Sequence, residues 1–129
     1  EPGSRTPKPD PEVEQLIADT AAQRGIARGV LGKDEVVERL LFPMINEGAR
    51  ILREGIAKRP GDIDVIWVYG YGFPVHRGGP MHYADGVGLG YIRDRLTAFA
   101  SKTGDDRHCP APLLEELAAA GKGFASLAG

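Results

Sequence analysis

The feature that most limits what this chain can become is a double apolar stripe between Val36 and Ile56 with a proline set inside it. Val36, Leu40 and Met44 recur at four-residue steps beside Val37, Leu41 and Ile45, and Ile51, Leu52 and Ile56 continue the pattern. That is the period of an amphipathic α-helix, not the two-residue alternation of a strand. A helix over 34–57 would be roughly 36 Å long at the standard rise. Pro43 lacks the N–H that would reach the carbonyl of Arg39, and its ring crowds that carbonyl, so the sequence predicts a bend or break around 39–43. The expected fold class is all-α, a helical bundle around a long, Pro-kinked central helix.

The flanks carry shorter helical signals. Asp10 before Pro11 is an N-cap followed by a proline whose missing N–H would be unpaired there anyway, and Val13, Leu16, Ile17 and Ala21 then repeat helically up to Arg24-Gly25. Arg59-Pro60-Gly61 stops the long helix, with Asp62 placed to cap the next element. IDVIWVY at 63–69 would pass for a buried strand. With no second strand signal to pair with, and with Ile63, Ile66, Trp67 and Gly70 on one helical face, it is expected to be a short helix. Gly70, Gly72, Pro74, Gly78, Gly79 and Pro80 then predict a tight irregular turn, letting Trp67, Tyr69 and Phe73 close the core. MHYAD, a helix through Val87, Leu89, Ile92, Leu96 and Phe99, and a last one around Leu113–Ala118 follow, with Phe124 and Leu127 expected to dock back. At 129 residues one domain is expected, read as a linker over 1–9, a helical domain over 10–121 and a tail over 122–129.

Composition removes several function classes. Sixteen basic against 18 acidic residues, without blocks, provide no basic field for nucleic acid. No apolar run approaches the ~18 residues needed to span a bilayer, so no membrane partner is expected. The lone Cys109 suits a reducing compartment, and the chain reads as cytoplasmic of bacterial type with a peroxisomal origin left open. GYGFPV at 70 and GVGLGY at 86 fail the third glycine of a dinucleotide turn and its strand-to-helix context, so no NAD site is expected. His76 and His82 lack one-face helical spacing, and His108-Cys109 is an isolated doublet, so no metal site is expected either. Neither Ser101 nor Ser126 lies in a nucleophile elbow. Glu47, near the apolar stripe, is expected half-buried in a structural ion pair with Arg50 or Arg39 rather than acting as a catalytic acid. Tyr69, Tyr71 and Phe73 have the surface to stack on an adenine, but core packing is their commoner use.

The run ERLLFPMINEGARILREGIAKRPGDIDVIWVYGYGFPVHRGGPMHYADGVGL, with G-Y-G-F-P and R-G-G-P-M in order, resembles the C-terminal helical domain of 3-hydroxyacyl-CoA dehydrogenase, as the last repeat of multifunctional β-oxidation enzymes. The match covers most of 34–92, and GSRTPKPDPEV and GKGFASLAG resemble its flanks more weakly. The resemblance implies a parent with a crotonase-like hydratase/isomerase domain, a nicotinamide-binding Rossmann domain and two related helical domains, this chain being the second. NAD and the catalytic histidine and glutamate would then lie in the Rossmann domain, leaving this piece without catalytic or cofactor-binding residues. Catalytic helical domains of the family carry N-R-L-L where this chain reads Glu38-Arg39-Leu40-Leu41. An ionised carboxylate only accepts hydrogen bonds, so Glu38 cannot stand in for the amide.

The expected role is therefore structural, with Glu38, Arg39, Pro43, Glu47, Trp67, Tyr69, Gly70, Gly72, Phe73, Pro74, Arg77, Gly78, Gly79 and Pro80 as structural or interface residues. The partners implied are the preceding helical repeat and the Rossmann domain of the same parent, and exposing their contact surface makes self-association of the fragment an expected outcome. An alternative reading has Arg77, His76 and the 69–73 aromatics meeting an acyl-CoA at the domain boundary.

Overall fold

The computed structural model describes residue 6 and residues 8–127. Most of the linker expected over 1–9, and the last two residues of the tail, lie outside the described residues. Six α-helices run in order: α1 Pro11–Gln23, α2 Lys33–Arg53, α3 Pro60–Tyr71, α4 Pro80–Val87, α5 Leu89–Thr103 and α6 Pro112–Ala119. Short 3₁₀ turns at Val75–Arg77, Asp106–His108 and Phe124–Leu127 complete them, and no strand occurs among the described residues. The fold is all-α, and IDVIWVY resolves to helix. Close contacts divide the chain into two compact units, 1–32 and 33–129.

In the first unit, Asp10 caps α1 by accepting the Glu12 N–H at 3.0 Å, as its position before Pro11 predicts. Yet α1 buries no residue, and Val13, Leu16 and Ile17 stay half or more exposed.

The second unit is built on the inner side of α2. Phe42, Ile45 and Ala49 pack with Ile63 of α3, Met81 and Ala84 of α4, Leu89, Ile92, Leu96 and Phe99 of α5, Leu113, Leu114 and Leu117 of α6, and Phe124. The helix is not broken at Pro43 but runs through it. Gly48 leaves the room that the Met81 side chain of α4 fills: a Cβ there would lie 2.6 Å from the Met81 sulfur, which would have to shift.

Four expectations about the inner surface need correction. Tyr69 does not close the core; it is 84% exposed, and Ile66 is exposed as well. The reason is the helical period: with Pro60, Ile63 and Asp64 turned inward and Trp67 packed partly against the core, Val65, Ile66 and Tyr69 fall on the far side of α3. The Glu47 side chain is 60% exposed instead of half-buried, although it does pair with Arg50 at 3.1 Å. Finally Gly70 is part of α3, and the turn comes from Gly72 and Gly78, both left-handed cap residues, and from Gly79.

Phe124 docks fully into the core, whereas Leu127, also expected to dock, stays exposed. Asp62 acts one turn into α3, its carboxylate accepting the Arg59 N–H at 3.1 Å.

Candidate functional site

The polar side chains of the helical unit form joints between elements. The first lies between the start of α2 and α5. Glu38, with its side chain only 13% exposed, accepts a short hydrogen bond from the Tyr91 hydroxyl and a 2.6 Å ion pair from Arg95. One turn earlier, Glu35 holds Arg39 at 2.8 Å, and both guanidiniums stack near Phe99, Arg39 at 4.9 Å and Arg95 at 4.6 Å from the ring centroid. The hydrogen bond from Arg39 lowers the Glu35 carboxyl, while Glu38 raises both the Arg95 guanidinium and the Tyr91 hydroxyl. Every charge in this cluster is matched by a neighbour. Such an arrangement holds two helices in register; it offers no unpaired base to a substrate.

Two aspartates make joints of another kind. Asp64, buried on α3, accepts the N–H groups of Met81 at 2.7 Å and His82 at 3.1 Å, and so caps the start of α4 from a neighbouring helix. Burial pushes its carboxyl up despite those two bonds. Gly79, at φ 109°, passes so close that a Cβ would sit 2.3 Å from the Asp64 Cβ. Asp85 on α4 repeats the device on the tail, accepting the N–H of Phe124 at 2.6 Å and of Ala125 at 2.8 Å. The two carboxylates share a cavity with Met81, His82 and Phe124, but each carboxylate oxygen already accepts a backbone N–H. Among the described residues, no group of three or more His, Cys, Asp or Glu is placed to hold a metal.

Asn46 makes the fourth joint. Fully buried on α2, its amide donates to the carbonyls of Cys109 at 2.8 Å and Arg107 at 3.3 Å and accepts the Ala111 N–H at 2.7 Å, with Arg50 adding a bond to the Cys109 carbonyl at 3.0 Å. Sequence reasoning named Glu38 but missed Asp64, Asp85 and Asn46. Asp64 alone had a visible signal, being a charge inside the apolar run IDVIWVY. Asn46 and Asp85 act over long sequence separations that no local pattern records.

Of the residues expected to matter structurally, Glu38 and Arg39 meet at the α2–α5 joint, while Gly79 and Pro80 are buried at the α3–α4 joint. Trp67 stacks on Tyr71 at 4.9 Å and Arg77 lies over Tyr83 at 5.6 Å. Phe73 is half-buried and Pro74 exposed. The nicotinamide cofactor does not fit this chain: GYGFPV ends α3 and enters a 3₁₀ turn, and GVGLGY joins α4 to α5. A pyrophosphate needs a glycine turn between a strand and a helix, and neither string has that setting.

Within the unit 33–129, apolar faces on two helices remain outward among the described residues. On α2 these are Val36, Val37 and Leu40, the last 74% exposed, and on α3 they are Val65, Ile66 and Tyr69. No helix among the described residues is long and apolar enough to cross a membrane.

Residues 36–126 match the family described as 3-hydroxyacyl-CoA dehydrogenase, C-terminal domain. The chain is 46% identical over 121 residues to the peroxisomal bifunctional enzyme of Danio rerio, covering 93% of this chain and 17% of that protein. It is 39% identical to the Homo sapiens protein of the same name over 99% of this chain and 18% of that one. A glyoxysomal fatty acid beta-oxidation multifunctional protein of Brassica napus is 35% identical over 78% of this chain and 14% of its own length. Among solved structures, (S)-3-hydroxybutyryl-CoA dehydrogenase from Ralstonia eutropha superposes with a TM-score of 0.62 at 26% identity, over 93% of this chain and 44% of that one. The chain thus spans less than a fifth of these multifunctional relatives.

Proposed function

Because the chain belongs to the 3-hydroxyacyl-CoA dehydrogenase C-terminal domain family, we propose that it works as a non-catalytic helical domain of a multifunctional β-oxidation enzyme. In this reading it packs on the preceding helical repeat and holds the dehydrogenase half in its working shape. The observation that carries it is the outer face of α2. Its inner face is sealed by Phe42, Ile45 and Ala49, while Val36, Val37 and Leu40 on the same helix face outward. Apolar area of that kind on a domain of a longer protein is what a neighbouring domain covers.

On this reading the parent oxidises 3-hydroxyacyl-CoA to 3-ketoacyl-CoA with NAD and also hydrates enoyl-CoA, and NAD is held by its Rossmann domain. Residues 1–9 serve as linker, 10–121 as the domain and 122–129 as its tail. Glu38 supports the non-catalytic assignment, since its carboxylate is taken up by Tyr91 and Arg95. The exposed thiol of Cys109 suits a reducing compartment, cytoplasmic or peroxisomal. The test has two parts. The purified chain with NADH and acetoacetyl-CoA is expected to show no turnover, and measurable turnover ends the reading. Mixed with the preceding repeat of its parent, it is expected to bind, and Leu40→Asp to abolish that binding.

A second reading rests on the exposure of Tyr69 and Tyr71: with His76 and Arg77, the aromatics would meet an acyl-CoA at the domain boundary. Calorimetric titration with an acyl-CoA decides it, since a flat trace at millimolar ligand leaves no useful affinity.

A further inference from the structure

The last stretch of the chain is held by very little. After α6 the sequence reads Gly121-Lys122-Gly123-Phe124-Ala125-Ser126-Leu127, and Gly121, at φ 63°, turns the chain out of the helix. Of residues 121–127 only Phe124 is buried. Among the described residues, two hydrogen bonds tie 123–127 to the rest of the unit 33–129, the N–H groups of Phe124 and Ala125 donating to the Asp85 carboxylate. One phenyl ring and one carboxylate thus hold the segment, against the many apolar neighbours that seal α2, α5 and α6. There is room on both sides of it: Asp85 lines a cavity of about 160 Å³ with Asp64, Met81 and Phe124, and a second of about 320 Å³ with Gly88, Ala118 and Gly123. A segment with few buried contacts and open space beside it belongs to the part of a fold that opens first.

The cavity beside Asp64 gives that opening a consequence. Asp64 caps the start of α4 through Met81 and His82, and Phe124 and Ala125 form part of the wall next to it. Asp85, toward the other end of the same helix, grips the tail, so α4 links the two. On the far side Gly78 and Gly79 press on His82 and Asp64: a Cβ would fall 2.5 Å from the His82 ring at the first and 2.3 Å from Asp64 at the second. We propose that residues 122–127 are a strap, hinged at Gly121, that lifts and closes as a unit while the helices of 33–119 stay folded, and that its closure keeps water from Asp64 and so fixes the start of α4. The end of the chain thereby controls the corner between α3 and α4, where His76 and Arg77 stand. Gly123 permits the close fit, since a Cβ there would fall 2.7 Å from the Asp85 carboxylate carbon. Water reaching Asp64 would relieve the burial that raises its carboxyl, a rise that Asp85 adds to and His82 opposes. The strap uses none of the outward residues of α2, so it stands or falls separately from the pairing with the preceding repeat.

Amide hydrogen exchange of the full chain, followed residue by residue by NMR, tests it. The Phe124 and Ala125 amides are expected to exchange about tenfold or more faster than those of Ile45 in α2 and Ile92 in α5. Gly123→Ala displaces the Asp85 carboxylate or lifts the strap, and Asp85→Ala removes the clip; neither takes away a core side chain. Each should speed exchange at Met81 and His82 by about tenfold while leaving Ile45 and Ile92 within about twofold. In Gly123→Ala the Asp64 carboxyl, followed by its carbon resonance, should also titrate closer to its ordinary 3.8, a change that a loss of overall stability alone does not produce. Tail amides that exchange together with Ile45 and Ile92, tail amides freed in both variants with Met81, His82 and the Asp64 titration unchanged, or protection lost evenly through the unit each overturns the proposal.

Discussion

Both sides of α2 carry apolar side chains, and their fates are opposite. Inward, Phe42, Ile45, Asn46 and Ala49 are sealed; outward, Val36, Val37 and Leu40 meet solvent. Apolar residues on a helix therefore tell that a surface is meant to be covered, and not whether the cover is another helix of the same unit or another body. The inner side differs by one residue type. Asn46 stands among its apolar neighbours with every polar atom bonded, and no counterpart exists on the outer side.

That contrast can be broken in order of expected effect. Ile45→Ala removes most of a fully buried side chain, and a loss of about 3–4 kcal/mol in urea unfolding is expected; less than 1 kcal/mol would mean that the inner face is loosely packed. Asn46→Leu keeps the volume but removes the partner of the Ala111 N–H and of the Arg107 carbonyl, while Arg50 still donates to the Cys109 carbonyl, an expected cost of about 2–3 kcal/mol by the same measurement. Leu40→Ala, in contrast, should change the stability of the isolated chain by no more than about 0.5 kcal/mol. A larger loss would show that this side chain is covered within the chain.

Titration sharpens the same comparison between covered and open groups. Burial raises the Asp64 carboxyl above its ordinary 3.8, so the folded state holds that proton more tightly than the unfolded one. Its contribution is full below 3.8 and is lost as pH rises through the raised folded value. Asp105, on the surface beside Arg107, runs the other way: lowered to about 2, it contributes above the ordinary carboxylate value and is lost as pH falls through about 2. Unfolding midpoints followed across the acid range should flatten above pH 3.8 in Asp64→Asn and only below it in Asp105→Asn. An unchanged profile in Asp64→Asn would show that its burial is not felt as charge.

Much of the architecture was legible in local chemistry. Asp10 before Pro11, the three- and four-residue apolar steps and the glycine stop after α3 each act within one or two turns, where short-range physics decides the outcome. What was not legible depends on contacts distant in sequence. Tyr69 and Ile66 read as core because aromatic and β-branched residues usually are; only the inward turn of Ile63 and Asp64 sends them outward. Glu47 likewise sits beside the apolar stripe in sequence and off it in rotation. Asp85 gives no sign in its neighbours that it caps a turn 39 residues later.

The Asn46 clip also has a kinetic meaning. Its bonds join residues 61 to 65 apart, so the loop between them must close before they can form, and such contacts are made late in folding. Loss of the amide should leave the refolding rate nearly unchanged and appear as faster unfolding. The one buried amide on the inner face of α2 thus governs how long the folded unit lasts more than how quickly it is reached.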